Sequence, residues 1–91
     1  MITFNMSKYN RWYYSIIKSA SDRTLNSYTE SHHIIPKSLG GSNDINNLVN
    51  LTPREHFICH LLLVKMTEGD ARKKMIYAAW AMTWKSKNSK R

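Results

Sequence analysis

An α+β fold is predicted, in which a short antiparallel hairpin and one helix form a core flanked by an N-terminal and a C-terminal helix. Three observations predict it. A capping box opens a helix at Thr52-Pro53-Arg54-Glu55, apolar residues recur at helical spacing near both ends of the chain, and two short β-rich runs flank a Gly- and Asn-rich loop. With 91 residues the chain is read as a single domain, 1–91, and a metal that clips segments together would help so small a body fold.

The first helix is expected over Tyr9–Ala20, where Tyr9, Trp12 or Tyr13, Ile16, Ile17 and Ala20 form a stripe interleaved with Lys8, Arg11 and Lys18. Ser21–Ser27 is polar and turn-like. Tyr28–Ile35 carries β-branched and aromatic residues and stops at Pro36, so it reads as a strand. Lys37–Asn47 is a loop, whose Gly40 and Gly41 are most simply residues permitting positive φ. Leu48–Leu51 is a second strand, antiparallel to the first if the loop folds back. Thr52 then suits the N-cap, Pro53 the first helical position and Glu55 the reciprocal capping position of a helix running to Met66. Thr67–Asp70 breaks the chain. A last helix is expected over Ala71–Trp84, with Met75, Ile76, Ala79, Trp80 and Met82 or Thr83 facing inward and Lys85–Arg91 as a frayed basic tail.

Composition narrows the partner. Fourteen Lys and Arg against six Asp and Glu give a net charge of +8, which favours a polyanion over a small neutral ligand. The single cysteine, Cys59, excludes an internal disulfide and reads as a small buried hydrophobe rather than a nucleophile. Met1–Lys8 has neither a basic leader nor an apolar run, and Leu61–Val64 is too short to span a bilayer. A cytoplasmic protein with no membrane partner is therefore expected.

The chemistry is concentrated in the histidines, all four of which fall between positions 32 and 60. His56 and His60 stand one helical turn apart and point the same way, the spacing of a two-toothed grip on zinc-like metals. His32 and His33 are neighbours on a strand and so face opposite sides. If His32 faces the helix and completes a three-histidine site, His33 stays clear of the cation yet close to a substrate. That division supplies a metal ligand and a general base from adjacent residues, as phosphodiester cleavage requires.

These residues carry a resemblance. His32-His33-Ile34-Ile35-Pro36, Leu39-Gly40-Gly41, Asn47-Leu48-Val49 and His56-x-x-x-His60 resemble an HNH endonuclease with its ββα-metal fold, particularly the small HNH and homing endonucleases of bacteriophages. The core of the resemblance covers 28–66. It implies that His32, His56 and His60 bind one divalent ion, that His33 activates water, and that Asn47 holds the loop and so orients His33. Asn46 is near enough that a one-residue slip stays open. Glu30, two residues before His32 on the same strand face, would support a ligand imidazole or else lie exposed. The implied reaction is hydrolysis of DNA to a 5′-phosphate and a 3′-hydroxyl. Magnesium, manganese, nickel and zinc are all candidate ions, with imidazoles favouring the softer ones.

Double-stranded DNA is the expected partner, met by a monomer or a homodimer. Lys37 and Arg54 are candidates for phosphate contacts near the cut, and Arg11, Lys18 and Arg23 for contacts farther away. With no room for a separate DNA-reading module, recognition is expected to come from the two outer helices and the tail, including Lys73 and Lys74. Two readings from other classes stand beside this one. The first is a nucleic-acid-binding module whose histidines hold a structural zinc without catalysis. The second is a nuclease subunit or adaptor of a larger phage DNA-processing machine. Target sequence, biological role and nicking versus double-strand cutting are not legible from the residues.

Overall fold

The computed structural model describes residues 7–89, with side chains described as far as 83. Helix α1 spans Lys8–Ser21, and its buried stripe is Tyr13, Ile17 and Ala20, spaced i, i+4, i+7 against the hairpin and the central helix. Tyr13 rather than Trp12 takes the inward place, since Trp12 is 52% exposed.

Strands β1 (Glu30–His33) and β2 (Leu48–Leu51) pair antiparallel, with Glu30 opposite Leu51 and His33 opposite Leu48. β2 matches the expected strand, but β1 is shorter than Tyr28–Ile35. The register explains both losses. Residue 29 would need Thr52 as its partner, and Thr52 is already the cap of the next helix. At the other end Ile34 still donates to the Asn47 carbonyl at 2.9 Å, while Ile35 is bonded by the Asn47 side chain in place of a strand.

Between the strands the expected loop contains two single 3-10 turns, Lys37–Leu39 and Ile45–Asn47. Gly40 closes the first with φ of 96°, the left-handed conformation glycine tolerates. Gly41 is needed for a different reason than expected. Its φ is not positive, but a Cβ there would sit 1.7 Å from the Ile35 carbonyl oxygen, so the backbones approach too closely for any side chain.

Helix α2, Pro53–Met66, begins with a complete capping box. Glu55 N–H donates to Thr52 Oγ1 at 3.2 Å and Thr52 N–H donates to Glu55 Oε1 at 2.9 Å. Arg23, from the turn after α1, grips the same carboxylate with both guanidinium ends, one bond being 2.8 Å to Oε2. Arg23, followed by burial and the cap itself, determines the Glu55 acidity; the guanidinium wins and the carboxyl is held down to about 2. Arg23 is thus committed to Glu55 and is not the free DNA contact the sequence suggested. Cys59, Leu63 and Met66 are the buried residues of α2, and burial pushes the Cys59 thiol up to about 12, well away from a reactive thiolate.

Helix α3, Gly69–Ser89, starts two residues earlier and ends later than the expected 71–84, so the supposed tail is helical as far as Ser89. Lys90 and Arg91 of that tail lie outside the described residues. The corner before α3 is tied by side chains: Thr67 Oγ1 donates to the Leu63 carbonyl at 2.8 Å, and Arg72 Nε donates to Val64 at 3.0 Å. Among the described side chains of α3, only Met75, Ala79 and Met82 are buried. Ile76 and Trp80, expected inside, are 51% and 59% exposed because the small body covers one narrow stripe of this helix.

Two substitutions separate these devices by size. Gly41→Ala is expected to cost about 3 kcal/mol by forcing the loop off the Ile35 carbonyl, whereas Thr52→Ala loses a cap worth ~1 kcal/mol. Urea unfolding of both variants checks the ranking, and a Gly41→Ala midpoint equal to wild type would remove the close-approach argument.

Candidate metal centre and active site

The hairpin puts His32 on its inner face, only 2% exposed, opposite the face of α2 that carries His56 and His60. The three rings approach edge to face, with centroids 5.1 Å apart for His32–His56, 5.3 Å for His32–His60 and 4.9 Å for His56–His60. One nitrogen from each lies within 4.8 Å of the others, a spacing that one cation can bridge.

Hydrogen bonds select which nitrogens are free. Tyr13 Oη lies 2.6 Å from the Ile34 carbonyl, which can only accept, so the phenolic proton goes there. His32 Nε2, 2.7 Å from the same oxygen, must then donate, which leaves the lone pair on His32 Nδ1. Burial pushes the Tyr13 hydroxyl well above its usual range, so that proton stays in place. His56 is treated similarly: its Nδ1 is 2.8 Å from Glu30 Oε1, so it donates to the carboxylate and Nε2 keeps the lone pair. His60 Nδ1 is buried with no hydrogen-bond partner, an orphaned polar atom inside the trio. Two rings oriented by hydrogen bonds and a third with an unsatisfied buried nitrogen fit a bound divalent ion.

Acidity agrees with that fit. Burial, then the neighbouring histidine rings, holds His32 down to about 3, and burial with His56 beside it holds His60 down to about 4. Both are neutral near pH 7 and need shed no proton to accept a metal.

His33 is half-buried and lines the same cavity, of about 300 Å³, as His32, His56 and His60. Its Nε2 donates to Asn43 Oδ1 at 2.8 Å, leaving Nδ1 as the basic nitrogen. Asn47 binds the loop rather than His33 directly: Oδ1 accepts from Ile35 N–H at 2.9 Å, while Nδ2 donates to Ile35 and Ser42 carbonyls at 3.0 and 2.8 Å. Asn46 has no such part and lines a separate depression of about 560 Å³ on the side of α1, so the one-residue slip is not needed.

The cationic candidates divide. Lys37 lines the histidine cavity, whereas Arg54, Arg11 and Lys18 are exposed outside its lining, with Lys18 3.4 Å from Asp22. Sequence reasoning missed Tyr13 and Asn43 as partners of the histidines. Neither had a local signal, because Tyr13 is 19 positions from His32 and Asn43 is 10 from His33.

A hairpin and helix presenting three converging imidazoles define a ββα-metal nuclease module. Residues 19–62, just under half of the chain, match the HNH endonuclease family. "Probable mobile endonuclease D" of Enterobacteria phage T4 is 46% identical over 78 residues, covering 80% of this chain and 29% of that protein. "Probable mobile endonuclease E" of the same phage is 51% identical over 59 residues, or 64% of this chain and 42% of the relative. "Probable mobile endonuclease C" is 42% identical over 79 residues, 82% of this chain and 36% of the relative. The chain therefore spans less than half the length of each. No solved structure matches it significantly.

The buried histidines also couple stability to pH. Their folded values of about 3 and 4 lie below the ordinary 6.5, so between these limits the unfolded chain binds more protons. For metal-free protein their contribution is fully present above pH 6.5 and is lost as pH falls, by ~1.4 kcal/mol per pH unit for each histidine inside the window. Added zinc at neutral pH should raise the unfolding midpoint by binding the folded state alone. Urea titrations from pH 7 to 5 with and without zinc check both; a flat metal-free profile would contradict the lowered values of His32 and His60.

Proposed function

We propose that this chain is the catalytic part of a metal-dependent DNA endonuclease of the phage mobile type, acting in the cytoplasm of a host cell. The observation that carries the reading is that His33, bonded to Asn43 through Nε2, lines the same cavity as the His32, His56 and His60 trio. The names of the phage relatives and the HNH family match support it. No helix among the described residues is long and apolar enough to cross a membrane.

In this reading His32, His56 and His60 hold one divalent ion, and Glu30 and Tyr13 keep two of those rings in the ligating tautomer. When bound, the ion supplies Lewis-acid stabilisation to the phosphate and to the leaving oxygen. Imidazoles suit zinc, nickel or manganese better than magnesium, which prefers oxygen ligands. His33 Nδ1 takes the proton from the attacking water, with Asn43 holding the ring and Asn47 holding the loop on which Asn43 stands. Lys37 faces the substrate phosphates. The products are a 5′-phosphate and a 3′-hydroxyl. A monomer has one such centre and cuts one strand of a duplex, so nicking precedes any double-strand break.

A structural zinc without catalysis fits less well. Such sites close with four protein ligands, and among the described residues the cluster has three, with Cys59 outside it.

The test is cleavage of supercoiled plasmid in magnesium, manganese, nickel or zinc. Wild type should give nicked circles first, and His33→Ala should be slower by about 100-fold or more while still binding metal. Asn43→Ala should lower kcat and leave KM unchanged, with Asn43→Asp restoring an acceptor for the ring. DNA bound but uncut by wild type with every metal would sink the nuclease reading.

A further inference from the structure

Two depressions meet at the outer edge of the histidine site. The cavity of the trio and a second one, of about 510 Å³ beside α3, share Ser38 and Ala78 in their walls. The second is otherwise lined by Lys73, Lys74 and Tyr77. Lys74 Nζ donates to the Ser38 carbonyl at 3.2 Å, which ties α3 to the turn that follows β1 and makes the two floors continuous. Tyr77 is 67% exposed, and Trp80 lies one turn on with ring centroids 6.0 Å apart. Neither lining contains an aspartate or glutamate, and among the described residues the one acid paired with these lysines is the exposed Asp70, 4.0 Å from Lys73 Nζ, a surface pair that a phosphate can displace.

We propose that this face of α3 is a strand-binding site. One DNA strand leaving the scissile phosphate runs over it, with Lys73 and Lys74 on consecutive phosphates and an unpaired base stacked on Tyr77. The inference rests on the nuclease reading for the strand's origin, but its binding chemistry stands on its own. Two ammonium groups about one helical turn before an exposed aromatic ring, all lining one depression, match a nucleotide's pairing of phosphate charge with a flat apolar base. Contacts of this kind ignore base edges, so the hold is sequence-tolerant. A second copy of the chain fits the face poorly. A two-fold contact here would set lysines against lysines on a body that already carries +8.

The test measures binding of fluorescent single-stranded and duplex oligonucleotides in the His33→Ala background across a salt series. Tyr77→Ala should weaken the single strand by at least about fivefold, and Tyr77→Phe should restore it because stacking needs the ring and not the hydroxyl. The double variant Lys73→Ala/Lys74→Ala should reduce the salt slope by about 1.4 to 1.8, according to the strandedness of the DNA. Lys65→Ala, a charge loss on the exposed end of α2 outside both cavities, should leave that slope unchanged. Affinities within twofold of the parent for Tyr77→Ala, or an equal slope change for Lys65→Ala, would overturn the proposal. So would a dimer in sedimentation that Tyr77→Ala dissolves, which would assign the face to a second copy. Plasmid cleavage by an otherwise wild-type Tyr77→Ala protein separates this idea from the nuclease reading. Cleavage with an unchanged KM defeats the α3 site alone, and ring-dependent binding without any wild-type cleavage defeats the nuclease alone.

Discussion

Tyr13 Oη meets the His32 ring at 2.7 Å and the Ile34 carbonyl at 2.6 Å, and it has a single proton to give. Because the carbonyl must receive that proton, the imidazole must supply its own, and the free lone pair of His32 is thereby turned away from α1. A two-stranded hairpin with four residues to a strand is marginal by itself. The Tyr13 contact gives β1 a buried anchor on a helix and orients its metal-binding side chain in the same stroke. Losing the hydroxyl would leave both a ring nitrogen and a carbonyl without a partner in a dry environment, where such groups are costly.

Beyond that anchor, the site separates two imidazole roles by one step along a strand. His32 is sunk among other rings and held neutral, whereas its neighbour His33 is half-buried and bonded to Asn43. Strand geometry accomplishes this without any special device, since adjacent side chains leave opposite faces. Holding the loop in place takes more. Asn47 spends its whole amide on Ile35 and Ser42, and Gly41 lets that amide and the Ile35 carbonyl come close. The amide and the missing side chain act as two halves of one clasp.

What could be read from the residues was whatever has a short-range signature. Thr52-Pro53-Arg54-Glu55 announces α2 because its capping bonds join residues three apart, and β2 ends where that cap begins. The His56–His60 pair is likewise a matter of helical pitch. β1 is shorter than its β-branched content suggests because its length is set by the register against β2. The sequence points Ile76 and Trp80 inward because α3 is apolar on more than one stripe, and only packing against α2 decides which stripe is covered. Tyr13 and Asn43 were invisible as partners for the same reason: folding, not spacing, brings each to its histidine.

The limits of the family match have a practical meaning in this light. The matched segment opens at residue 19, inside the last turns of α1, and so leaves Tyr13 behind while keeping Arg23 and all four histidines. A graft made from the shared segment alone would carry every ligand into a new host yet leave the His32 ring free to present either nitrogen. The smallest portable unit of this centre is therefore larger than the stretch by which its kinship is detected, and it begins with the helix that precedes it.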